Sequence, residues 1–272
     1  MSDATNLAGL PGWLFCPADR PDRYQKAADA ADVVILDLED AVRPADKDDA
    51  RKALLDVRLD PKSTVVRVNP GGTTDQRRDL EAISHTDYTQ LMLAKAESPA
   101  QVLELDGFQV VALVETPLGV IKASDIAQAD NVVGMMWGAE DLIASIGGGS
   151  SRKFNGSYRD VARHARASVL LAASAYGRFA LDAVHLDIKD VEGLTDEARD
   201  AAASGFSGTV CIHPTQVDVV RTAFRPTESQ IGWAQRVLAA AQGERGVFSF
   251  EGKMVDSPVL RHAEQLCARA GL

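Results

Sequence analysis

The chain has only three cysteines in 272 residues, Cys16, Cys211 and Cys267, an odd number without paired metal-ligand spacing. Neither a disulfide framework nor a zinc site of the common cysteine type is supported, and the thiols read most simply as reduced and structural. Basic charge is scarce: 29 Lys and Arg stand against 39 Asp and Glu, for a net charge of −10. Nonspecific binding to nucleic acid or to an anionic membrane needs the opposite balance. Long apolar runs are absent too, none approaching the roughly 18 residues of a membrane span. The first twelve residues lack a basic stretch followed by an apolar one, so a cytoplasmic location is expected. Internal repeats and low-complexity segments are also missing.

What the chain does have is a series of eight short apolar runs that end in charged or polar residues. They are WLFCPADR (13–20), VVILDLED (33–40), TVVRVN (64–69), QLMLAK (90–95), VVALVET (110–116), NVVGMMWGAED (131–141), AVHLDI (183–188) and TVCIHP (209–214). Their length and β-branched content suit strands buried on both faces, and the longer stretches between them suit helices. Eight alternations predict an α/β fold, a parallel (β/α)₈ TIM barrel with its site at the C-terminal ends of the strands. Pro21 is placed to open the first helix, and Thr74 or Asp75 to cap the helix that runs towards Ser84. The glycines and serines of GGGSSRKFNGS (147–157) suit either a mobile loop over that end of the barrel or an ordinary surface connection. Helix-like stretches at 226–242 and 257–270 exceed what eight units require. The expected organisation is a barrel over 1–242 and a C-terminal extension over 243–272.

Charged strand ends supply the candidate site. Glu115 ends the fifth run and Asp141 the sixth, so the two carboxylates fall on adjacent strands at one rim. They either hold a divalent ion or cap helices. An oxygen-only pair without His or Cys favours Mg²⁺, or Mn²⁺, over zinc. Asp37, Glu39 and Asp40 place three acids in four residues after the second run, a repulsion that a cation or Arg67 relieves. Arg67 interrupts a run otherwise suited to full burial, so it needs an anionic partner: Glu39, a substrate carboxylate or a developing enolate oxygen. Lys95 is placed to attract a phosphate, to act as a Schiff-base amine or to form a plain salt bridge. Arg20 and Arg23 suit phosphate binding or a solvated surface, and His213 suits a helix cap or a ligand contact.

The segments FCPADRPDRYQKA, VVILDLEDAV, VVRVN, MLAKAES, ALVETPLGV, GMMWGAEDL, CIHPTQV and EGKMVDSP, in this order over nearly the whole chain, resemble the citrate lyase β-subunit-like proteins. These belong with the malyl-CoA and citramalyl-CoA lyases and the HpcH/HpaI aldolases. The resemblance implies a barrel assembled as a trimer, or a dimer of trimers, with Mg²⁺ in the site. It makes Glu115 and Asp141 the metal ligands, and Glu39 and Asp40 the acids that bond metal-bound water. Arg67 is implied to contact the organic acid and the thioester oxygen. Gly138, Ala139 and Glu140 of the GAEDL segment are implied to contact substrate, with Arg20, Arg23 and Lys95 towards the coenzyme A phosphates. The GKMVDSP segment resembles a stretch that reaches a neighbouring subunit's site, where Asp256 is the acid–base carboxylate. The residues alone place Asp256 as a helix N-cap. The implied activity is Mg²⁺-dependent cleavage of a 3-hydroxyacyl-CoA thioester into a 2-oxo acid and acetyl-CoA, or the reverse Claisen-type condensation. Two rivals are a metal-dependent aldolase on free hydroxy-keto acids and a subunit that acts on a carrier-protein thioester only with partners.

Overall fold

A computed structural model describes residues 7–244 and 246–272. Eight parallel strands close into a barrel in sequence order: β1 Gly12–Pro17, β2 Val33–Asp37, β3 Thr64–Val68, β4 Gln90–Leu93, β5 Gln109–Val114, β6 Val132–Trp137, β7 Phe179–Asp182 and β8 Gly208–Cys211. Helices follow them: α1 Tyr24–Ala30, α2 Lys47–Asp56, α3 Thr74–Ile83, α4 Pro99–Leu103, α5 Pro117–Ile121, α6 Ala123–Ala127, α7 Ala139–Ser145, α8 Asp160–Ala175, α9 Val191–Ser204 and α10 Pro214–Phe224. None of the described helices is long and apolar enough to cross a membrane.

Barrel closure is written into side-chain alternation. Trp13, Val33, Ile35, Val65, Met92, Val111, Leu113, Met136, Leu181 and Val210 share one buried cluster. Successive strand residues point to opposite faces, so a residue two beyond a core residue continues the same inward row. Asp37 follows Ile35, Arg67 follows Val65 and Glu115 follows Leu113 in this way. The inward rows therefore end, at the C-terminal mouth, in charged side chains stacked on an apolar floor.

Seven of the eight apolar runs coincide with a strand, four containing it whole and three, the first, fifth and eighth, beginning one residue after it does, and each ends in a polar tail that turns out of the sheet. The seventh does not. Its strand is Phe179–Asp182, pairing Gly134 with Phe179 and Leu181 with Gly208, while 183–188 lies beyond the strand. Asp182 ends this strand as a buried carboxylate that accepts from Trp137 Nε1 (2.6 Å) and from Arg166. A second correction concerns α3, whose N-cap is Thr73, ahead of both Thr74 and Asp75, accepting from the Gln76 N–H. Pro21 opens a short 3₁₀ turn, Pro21–Arg23, that leads directly into α1.

The chain forms two compact units, divided between Arg221 and Thr222. The second holds α11 Glu228–Ala241, the antiparallel hairpin of β9 Phe248–Phe250 and β10 Lys253–Val255, and α12 Ser257–Arg269. The division falls earlier than the 242/243 boundary read from the sequence. Its cause is a separate core in which Ala234 and Val237 of α11 pack with Val255, Ala263 and Leu266.

Candidate active site

The mouth of the barrel is organised around a buried ion pair. Arg67 donates from Nε and Nη2 to the two oxygens of Asp37, at 2.6 and 2.5 Å. Strand register explains the match, because Asp37 on β2 lies directly opposite Arg67 on β3. The same Asp37 carboxylate accepts the backbone N–H groups of Glu39 (2.9 Å) and Ala41 (3.1 Å), which curls the chain after β2. Arg67 Nη1 lies 3.2 Å from Glu39 Oε2, and its guanidinium carbon sits 4.6 Å from the centre of the Phe15 ring. The anionic partner of Arg67 is Asp37 first, a residue the sequence reading did not name for this role, and Glu39, which it did name, second. Asp37 was visible in the sequence as one acid of three, but its position two residues after Ile35 is what marks it as inward.

Glu115 follows β5 and is 3 % exposed. Its Oε1 accepts the backbone N–H of Lys95 at 3.1 Å. Gly138 approaches the other side so closely that a Cβ there would lie 2.7 Å from Glu115 Oε2. Asp141 stands in the first turn of α7, where helix N-terminal N–H groups favour a carboxylate. Burial, and next the neighbouring Asp141 charge, push the Glu115 carboxyl up to about 8. Lys95 and Arg67 pull in the opposite sense without cancelling this.

Lys95 lies between the two halves of the site. Its Nζ is 2.5 Å from Glu39 Oε1, 3.1 Å from Asp40 Oδ2 and 3.3 Å from Asp141 Oδ1. Burial raises the Glu39 carboxyl above its usual range against the pull of Arg67 and Lys95. For the more exposed Asp40, burial acts in the same upward sense, but the Lys95 hydrogen bond and charge outweigh it and hold the carboxyl low. The structure thus brings Glu39, Asp40, Arg67, Lys95, Glu115, Gly138 and Asp141 together.

Other sequence candidates fall outside this cluster of contacts. Arg20 is clamped by Asp22 through two hydrogen bonds of 3.0 and 2.9 Å, and Arg23 is exposed in the same turn. Ala139 is buried in the first turn of α7, and Glu140 accepts from the Ser151 hydroxyl at 2.6 Å. His213 Nδ1 accepts the Thr215 backbone N–H at 3.3 Å at the start of α10, the helix-cap arrangement, and lies 2.8 Å from Thr215 Oγ1. Asp256 belongs to the second unit and caps α12, accepting from the Val259 N–H at 3.4 Å. The 147–157 segment is tied down near its middle by two adjacent residues: Ser151 donates to Glu140, and Arg152 pairs with Glu197 while its guanidinium carbon lies 4.0 Å from the centre of the Tyr158 ring.

The donor set fits a hard divalent ion. Among the described residues no cluster of three or more His, Cys, Asp or Glu forms a complete metal cage. Two carboxylates at one rim leave positions open for water and substrate, which suits Mg²⁺ better than Zn²⁺ or a Ca²⁺ cage. Burial first, and the neighbouring Asp141 charge second, disfavour the ionised Glu115 carboxylate, and a bound cation would offset both. The missing Cβ of Gly138 gives the carboxylate the room to turn.

A consequence follows for Gly138→Ala. The added methyl pushes Glu115 from its position, and Mn²⁺ affinity, read by calorimetry or electron paramagnetic resonance, should fall at least about tenfold, a cost of roughly 1.4 kcal/mol in carboxylate placement. Unchanged affinity would show that Glu115 is not held at that spot by the Gly138 contact.

A barrel with this rim belongs to a recognisable class. Residues 12–214 match the family model described as HpcH/HpaI aldolase/citrate lyase, and the chain is a member of that family. It is 67% identical over 264 residues, 97% of both chains, to the citrate lyase subunit beta-like protein of Mycobacterium tuberculosis. It is 32% identical over 285 residues to human mitochondrial citramalyl-CoA lyase, covering 92% of this chain and 82% of the human one. The crystal structure of CitE from M. tuberculosis in complex with magnesium, acetoacetate and coenzyme A superposes with a TM-score of 0.94 at 65% identity, covering 98% of this chain and all of that one.

Proposed function

We infer that this chain is a Mg²⁺-dependent carbon–carbon lyase that cleaves a 3-hydroxyacyl-CoA thioester, such as citramalyl-CoA or malyl-CoA, into a 2-oxo acid and acetyl-CoA. It would also run the reverse condensation. The observation that carries the reading is the juxtaposition of Glu115 and Asp141 with the clamped Arg67 at the barrel mouth. Support comes from the relatives, one named citramalyl-CoA lyase and one crystallised with magnesium, acetoacetate and coenzyme A.

In this reading Glu115 and Asp141 hold Mg²⁺, which supplies Lewis acidity and a template for the acid half of the substrate. Arg67 carries five N–H donors, gives two to Asp37 and has its Nη1 3.2 Å from Glu39; an N–H left over would meet the thioester oxygen, where negative charge develops as the bond breaks. Because Asp37 fixes the guanidinium before substrate arrives, little reorganisation is needed at the moment of reaction. Glu39 and Asp40, kept in place by Lys95, orient water and the hydroxyl proton. Exposed Arg23, with Arg20 beside it, is the proposed contact for the coenzyme A phosphates. Gly138, Ala139 and Glu140 line the acid half. We further propose a homotrimer, or a dimer of trimers, in which Asp256 of a neighbouring copy transfers the proton at the acetyl carbon.

The discriminating experiment incubates the purified chain and Mg²⁺ with malyl-, citramalyl-, citryl- and hydroxymethylglutaryl-CoA, and follows 2-oxo acid or ketone release by mass spectrometry. Mg²⁺-dependent cleavage of one thioester establishes the activity and its acyl group. Silence across the panel would turn attention to free hydroxy-keto acids or to a carrier-protein thioester. Asp256→Asn should keep Mn²⁺ binding within about twofold and lower kcat by about 10²-fold, the usual size of a lost acid–base group. Near-normal turnover in this variant removes Asp256 from the mechanism.

A further inference from the structure

One residue touches every carboxylate of the candidate metal site. The Lys95 backbone N–H donates to Glu115, and its Nζ reaches Glu39, Asp40 and Asp141. The root of this side chain is set by both neighbouring strands. Ala94 donates its N–H to Val68 O (3.3 Å) on one side, and Ala96 donates to Leu113 O (2.9 Å) on the other. Lys95 must turn between these two attachments, and it does so with a φ of 51°, a left-handed conformation that costs a non-glycine residue about 1 kcal/mol or more. The strain places a single cation among the acids.

Such an ammonium has little use as a nucleophile. Burial disfavours its charge, but the hydrogen bond to Glu39 and the charges of Glu115, Glu39 and Asp141 outweigh burial and keep it protonated. A Schiff base needs a free lone pair, and a coenzyme A phosphate needs an unpaired cation. Lys95 offers neither in this arrangement. What it does share with a divalent ion is Asp141, and two cations drawn to one carboxylate at a few ångströms repel each other.

We propose that Lys95 is a positioning residue and a built-in competitor of the divalent ion: its ammonium holds Glu39 and Asp40 in place while sharing Asp141, and so sets metal affinity below what the carboxylates alone would give. The proposal rests on Glu115 and Asp141 being the metal ligands. It separates two effects that ordinary structural damage would join. Without the ammonium the ion binds more tightly, yet the two outer acids lose their orientation and chemistry slows.

The test titrates the full-length chain with Mn²⁺, without substrate, in the wild type, Lys95→Met, Lys95→Gln and Lys95→Arg. All variants keep the backbone N–H that aims Glu115. Lys95→Met and Lys95→Gln should bind Mn²⁺ about tenfold more tightly, since like charges at this range easily cost that factor. At saturating Mg²⁺ their kcat should fall at least tenfold, and Lys95→Arg should return Mn²⁺ affinity to within about twofold of wild type. Weaker or unchanged Mn²⁺ binding in both charge-removing variants overturns the proposal. An Asp141→Asn control keeps the two failures apart: if it binds Mn²⁺ as the wild type does, the ligand assignment falls and takes the proposal with it.

Discussion

Glu115→Gln should lower Mg²⁺-dependent turnover by about 10⁴-fold, the scale of several kcal/mol that a bound metal contributes to charge stabilisation. It should do so without harming the fold. The amide keeps the shape of the side chain and still accepts the Lys95 N–H, while removing a charge that burial and Asp141 both oppose. The sign of the stability effect depends on pH. The carboxyl titrates near 8 when folded against an ordinary 4.5, so between these values the folded state holds a proton that the unfolded state has released. This contribution is complete below about 4.5 and is lost as pH rises through about 8. The metal-free wild type should therefore lose about 3 kcal/mol between pH 6 and 9, at about 1.4 kcal/mol per unit over the two units up to pH 8, and Glu115→Gln should lack that decline. Thermal unfolding of both proteins across this range, with chelator present, measures the difference. Parallel pH profiles would mean that Glu115 is not the proton-holding group. The same linkage makes Mn²⁺ affinity rise with pH up to about 8, since an ion that takes the carboxylate must displace its proton.

The barrel was legible because parallel strands buried on both faces read as apolar runs, and eight such runs leave few other architectures. Legibility ended where a run outlived its strand. In AVHLDI the apolar alternation continues past Asp182, but Asp182 is already spent on Trp137 and Arg166, so the sheet stops there and the apolar residues belong to the following connection. The acids of the site were legible one by one as charges at strand ends. Their partnerships were not, because pairing depends on register between strands, and a single sequence carries no register. Asp37 and Arg67 are 30 residues apart and become neighbours only through the β2–β3 pairing. Lys95 was likewise visible as a charge, while the left-handed turn that carries it among four carboxylates arises from hydrogen bonds on two flanking strands. The assignment of roles came from the ordered resemblance, which no spacing rule would have supplied.

Asp37→Ala is expected to be the most destabilising change at the rim, about 3–5 kcal/mol, since removing one partner of a buried pair leaves the other charge uncompensated. Arg67 and Asp37 are 10% and 1% exposed at the side chain, so water offers little relief. Glu39 cannot substitute fully, because its other oxygen is committed to Lys95 and its own N–H depends on Asp37. The loss also releases Ala41, so the turn that presents Glu39 and Asp40 loosens along with the guanidinium. Activity should therefore fall with stability. The two are separated by the double variant Asp37→Leu with Arg67→Met: apolar side chains of similar volume can replace a buried pair at little cost, and here they continue the inward rows above Ile35 and Val65. Chemical denaturation should show the double variant recovering most of the stability lost in Asp37→Ala, while turnover stays absent because no donor remains for the developing charge. Recovery of both would mean that Arg67 serves the fold alone. An Asp37→Ala chain within 1 kcal/mol of wild type would mean that the pair is not the anchor of the barrel mouth.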